Sequence, residues 1–180
     1  MCDTEVYTVR VDSTRTSTSN TNFVSYINIP LKNVVKAELL MAVLPFNVNA
    51  SAVIYIHVKE LVSKFNDRAT LEYTLSSAGQ VSTQGGVSTP ISNIQYLNTS
   101  FATIPGDQQY ARTVYTASGS GYPTDVNFIE PIRQLEKLSI AMYDFNGNLI
   151  VDPTEAGPTF LAFRFTCAKP NVCQYGGQIV

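Results

Sequence analysis

The chain holds a single histidine, His57. Acid–base or nucleophilic chemistry near neutral pH would fall on it first. A catalytic triad would need that imidazole beside a nucleophile and an orienting carboxylate. Val53 to Leu61 alternates, with Ile54, Ile56 and Val58 facing one way and Tyr55, His57 and Lys59 the other. His57 thus takes the outward parity of a strand, and no G-x-S-x-G elbow accompanies it. The cysteines, Cys2, Cys167 and Cys173, include no C-x-x-C pair that would join one histidine around zinc. Asp144, Asn146, Asn148, Asp152 and Glu155 follow the ligand spacing of an EF-hand loop, but Leu149 stands where the sharp-turn glycine belongs. Flanking helices are missing too, so the segment reads as a plain hairpin turn. Gly85-Gly86 does not link a strand to a helix, as a phosphate loop would. These residues predict no catalytic site, no cofactor and no metal.

The elements that would carry these side chains are strands. Leu138, Ile140 and Met142 alternate with Ser139, Ala141 and Tyr143, a period of two. Asn146-Gly147 then supplies a tight turn, and Leu149, Ile150 and Val151 restart the apolar run, predicting a hairpin within 132–151. Leu161, Phe163, Phe165 and Cys167 alternate with Ala162, Arg164 and Thr166. These two runs predict one shared core of Leu138, Ile140, Met142, Leu161, Phe163 and Phe165. Residues 4–11 read as a strand with Tyr7, Val9 and Val11 on one side, and 12–22 as a polar loop or arm. Phe23 to Ile29 is a strand ended by Pro30, and Val34 to Leu44 a long strand bounded by Pro45. Short strands follow around 71–75, 101–104, 110–116 and 126–128, the last running up to Pro131. A long loop at about 76–100 carries Gly79, Gly85, Gly86 and Pro90, and 118–123 is a flexible connector. About ten strands without a long amphipathic helix predict an all-β sandwich or barrel, and the long connections favour jelly-roll winding.

At 180 residues the chain suits one domain, 1–180. Charged residues make up only 14%, against about 25% in a typical globular chain. Such a surface, rich in Tyr, Asn, Ser and Thr, suits permanent contact with other proteins, though many secreted β-proteins share it. A net charge of −2 with scattered basic residues argues against a nucleic-acid face. No apolar run approaches the ~20 residues of a membrane span, and the N-terminus lacks a signal-peptide pattern. Cys167 falls on apolar parity, predicting a buried free thiol, while Pro170 and Gly176-Gly177 leave its geometry with Cys173 open. A reducing compartment fits best.

The run VYTVRVDSTRTSTSNTNFVSYINIPLKNVVKAELLMAVLP resembles the opening of penton and minor capsid proteins of large icosahedral DNA viruses, above all the chlorovirus type. A first strand leads into a Ser/Thr-rich stretch, then a second strand, then a longer one ending in Pro. IYIHVKEL, FATIP and LEKLSIAMYDFNGNLI continue the likeness in order. The resemblance implies a single jelly roll of two antiparallel sheets and a homopentamer at each fivefold vertex. It also implies partners among other minor capsid proteins and the double jelly-roll major capsid protein. Location in the virion, after assembly in the host cytoplasm, is implied too. The family has no active site to carry over. Two other readings stay open: a minor capsid or cement protein away from the vertex, and a glycan-binding jelly roll using exposed Tyr and Asn.

Overall fold

The computed structural model describes residues 3–15, 19–44, 53–62, 73–75, 81–83, 100–105, 113–119, 124–144, 147–150 and 157–169. Among these, nine strands run in chain order: β1 Thr4–Asp12, β2 Asn22–Leu44, β3 Val53–Val58, β4 Tyr73–Leu75, β5 Val81–Thr83, β6 Ala102–Pro105, β7 Thr113–Thr116, β8 Thr124–Tyr143 and β9 Phe160–Ala168. A single 3₁₀ turn, Ser13–Arg15, is the one helical piece among the described residues. Every strand pair is antiparallel. Seven strands form one curled sheet in the order β1-β9-β2-β8-β3-β6, with β7 also on β2, while β4 and β5 pair by themselves.

The curl comes from two unusually long strands, β2 with 23 residues and β8 with 20. A strand of ordinary length has about 5–6. Both are interrupted. Between Tyr26↔Lys137 and Leu31↔Leu135, β2 has the excess residues; between Val34↔Ile132 and Lys36↔Asn127, β8 has them. Pro30 and Pro131 fall in those two stretches. Proline has no N–H for the ladder and is tolerated at bulges. Asn33 beside them has φ 53°, in the left-handed region where Asn is enriched. Each bulge therefore bends a strand without ending it. This corrects two expectations: Pro30 does not end the second strand, and the run after Pro131 is no separate element.

The bend splits the pairing of β2. Its first part, 22–34, lies beside β8, which leads on to β3 and β6. Its second part pairs with β9 over Val34–Val43 on one side, and on the other with the start of β8 over Lys36–Leu39 and with β7 over Met41–Leu44. Leu138, Ile140, Met142, Leu161, Phe163 and Phe165 all lie in one buried cluster, as their alternation predicts. The rings of Phe163 and Phe165 stack with centroids 6.0 Å apart, and Phe101 closes on Phe163 at 5.8 Å. Ile54, Ile56 and Val58 are buried on β3.

The hairpin expected after β8 closes over the described residues: Tyr143 bridges Leu149, and the Ile150 N–H donates to the Met142 carbonyl at 2.9 Å. Val151 lies outside the described residues. One further expectation needs correction: the loop expected over 76–100 contains a strand, Val81–Thr83, paired with Tyr73–Leu75.

The polar arm between β1 and β2 is anchored where no apolar residue marked an anchor. Ser13, Thr21 and Thr159 are buried. The Ser13 N–H donates to the Thr159 carbonyl, and the Thr159 N–H returns a bond to Ser13 Oγ, both at 3.0 Å. Thr159 Oγ1 donates to the Asn20 carbonyl at 2.6 Å, and Thr21 Oγ1 to the Ile150 carbonyl at 2.7 Å. Buried hydroxyls are stable here because each finds a backbone partner.

Candidate interaction surface

β1 becomes less buried towards its start. Val11 is buried, Val9 partly so, and residues 4–8 are exposed on both faces. Tyr7 shares the parity of Val11, yet 41% of it is open to solvent. The register with β9 is unbroken from Thr4↔Ala168 to Asp12↔Phe160, so β1 is a straight edge strand without bulge or proline. Natural edges usually carry such protection.

The exposed end of β1 borders an open groove of about 660 Å³. Its walls are Glu5 and Tyr7 from β1, Ile29 to Asn33 from the bend of β2, and Cys167 to Lys169 from the end of β9. It exists because β9 begins pairing with β2 only at Val34, leaving Ile29 to Asn33 without a paired strand on that side among the described residues. Ile29 is 76% exposed and Tyr26 nearby on β2 is 75% exposed. Tyr7 donates its phenolic proton to Glu5 Oε2 at 2.6 Å, and Lys169 Nζ lies 3.5 Å from Glu5 Oε1. Bonding to Tyr7, with help from Lys169, holds the Glu5 carboxyl below its ordinary range. Glu5 in turn raises the Tyr7 phenol. Cys167 is buried and free as predicted, and burial followed by Glu5 raises its thiol. Cys2 and Cys173 lie outside the described residues.

On the other side of β2, the bulged part of β8 exposes Ile129, Glu130 and Pro131. Sequence periodicity could not mark Ile29 or Ile129, because alternation loses its meaning inside a bulge.

His57 takes the outward parity expected, opposite Ala141 on β8, but it is half-buried rather than open. Its ring meets Tyr143 edge-on, with centroids 6.2 Å apart at 88°. Burial lowers the imidazole pKa, and Glu60 partly opposes this. Ser139 stands two residues before Ala141, but its Oγ donates to Glu60 Oε1 at 2.6 Å and its N–H to Oε2 at 2.7 Å. A triad needs the serine proton on histidine, so these three side chains do not assemble one.

At the turn, Asp144 accepts from the Asn148 N–H through Oδ1 at 2.8 Å and from Asn148 Nδ2 through Oδ2 at 3.3 Å. Both oxygens thus bond within the turn. Asn146, Asp152 and Glu155 lie outside the described residues. Among those described, no group of three or more His, Cys, Asp or Glu side chains is placed to hold a metal ion. No described helix is long and apolar enough to cross a membrane. Of the long loop and the connector read from the sequence, most of 76–100 and 120–123 lie outside the described residues.

Compared with protein-family models the chain matches none, and no curated protein sequence is significantly similar to it.

Proposed function

We propose that the chain is a structural subunit of an icosahedral viral capsid, a single jelly-roll penton protein whose pentamer closes the fivefold vertices. The observation that carries this reading is the order of strand pairing. Divided at the bends, the sheet contains two four-strand runs: β1, β9, the second part of β2, and the first part of β8, with β7 also on β2; then the first part of β2, the second part of β8, β3 and β6. That order supports a jelly roll, eight strands wound as two Greek keys into two sheets. The resemblance of the sequence segments to vertex proteins follows the same order of strands. Low charge and an exposed, unprotected β1 edge fit a subunit whose flanks are covered by neighbours. Shape, rather than chemistry, does the work. Each copy contacts the next through two different flanks, and rotation closes the ring. The surrounding partners on this reading are double jelly-roll major capsid proteins and other minor capsid proteins.

Cryo-electron microscopy of intact particles tests the proposal. Density for this chain on the fivefold axes is the expected result. Density confined to positions off those axes would replace the penton reading with a minor capsid or cement role.

A further inference from the structure

The bend gives each copy two unlike features on opposite sides of β2. One is the groove of Tyr7, Ile29 and Pro30, with Lys32 and Lys169 on its rim. The other is the β8 ridge, where Ile129 is 65% exposed and Glu130 follows it. We propose that the Ile129–Glu130 ridge of one copy seats in the groove of the next, which makes it the contact that joins the ring. This rests on the ring reading above.

Three observations select a second copy as the occupant. The groove is mainly apolar where Ile129 would enter, and both surfaces otherwise leave large apolar side chains in water. The charges differ in sign: two lysines against one glutamate border the groove, and with Lys169 paired to Glu5 the excess positive charge is that of Lys32. Glu130 brings negative charge to the ridge. Finally, Pro30 and Pro131 sit within the two features, so neither can extend as a sheet edge. The contact is therefore one of side chains on stiff backbone, which lowers the cost of ordering them. Ridge and groove differ, so the contact is head-to-tail.

Disulfide trapping tests it, since oxidation captures contacts too brief to survive separation. The chain would carry Ile29→Cys and Ile129→Cys with Cys2→Ser, Cys167→Ala and Cys173→Ser, and folding would be checked by circular dichroism. Oxidation at high protein concentration should give a ladder reaching five copies on a non-reducing gel. The two single-cysteine chains should give dimers only when mixed. Dimers from either one alone would mean a self-facing contact and overturn the proposal. So would the absence of a ladder, or a cross-link from the Ile29→Cys chain to a different protein in assembled particles. If the cysteine background fails to fold, Ile129→Asp in the native chain serves instead. Native mass spectrometry should then show loss of pentamers that Val114→Asp retains, and pentamers surviving Ile129→Asp would overturn the contact. Amine cross-linking of the unaltered chain separates the two ideas. Pentamers there without the cysteine ladder sink only this contact, whereas no oligomer by any route sinks the ring.

Discussion

Phe163 occupies the centre of the buried cluster, between the rings of Phe101 and Phe165. Truncating it to Ala removes both ring contacts and leaves a cavity, so Phe163→Ala should cost about 3–5 kcal/mol in urea denaturation. Ser13 stabilises the fold by a different means. Its hydroxyl satisfies the buried Thr159 N–H and donates to Asn20. Ser13→Ala leaves the buried Thr159 N–H without that acceptor and should cost about 1–3 kcal/mol by the same measurement. His57 makes stability depend on pH. Burial holds its folded pKa below the ordinary 6.5, so the unfolded chain binds the proton more readily. Its contribution is fully present above about pH 6.5 and is lost as pH falls towards the folded pKa. The denaturation midpoint of the native chain should therefore fall more between neutral and mildly acidic pH than that of His57→Gln. An equal fall in both would show that other groups set the dependence.

At the scale of elements, the two bulges decide the architecture. They let β2 serve two runs of strands and place prolines where no ladder donor is missed. Asn33 is the backbone position on which this bend most visibly depends, because its φ of 53° is unfavourable for a side chain branched at Cβ. Asn33→Val should destabilise the protein by about 1–2 kcal/mol, while Asn33→Gly should be nearly neutral. Thermal denaturation of the two variants checks this, and equal midpoints would deny Asn33 that role. β1 shows the opposite case. Its alternation is regular and its pairing with β9 complete, yet residues 4–8 are exposed on both faces.

For the molecule as a whole, stability comes from the buried cluster far more than from surface charge. The described ion pairs Lys36–Asp125, Arg164–Glu38 and Lys169–Glu5 all have partly or largely exposed side chains. Such pairs contribute roughly 0–1 kcal/mol each and are screened by salt. The melting temperature should accordingly change little as ionic strength rises. A marked fall in high salt would point to charge networks carrying the fold. Ring assembly should respond more strongly to salt if the lysine rim and Glu130 meet across the contact.

Alternation along β3, β8 and β9 determined by itself that these segments are strands and which of their side chains enter the core. Period two is a local property, and burying one face satisfies it wherever the strand lies. The outward parity of His57 and the buried thiol of Cys167 were legible for the same reason. Tertiary structure alone decided the rest. Pro30 and Pro131 look like strand ends until the partner strand reveals a bulge. Ser13, Thr21 and Thr159 look like solvated loop until their hydrogen-bond partners, remote in sequence, are in place. The groove and the Ile129 ridge arise where pairing stops on one strand and continues on its neighbour. Which strands pair is a long-range choice, and local hydrophobic pattern carries no record of it.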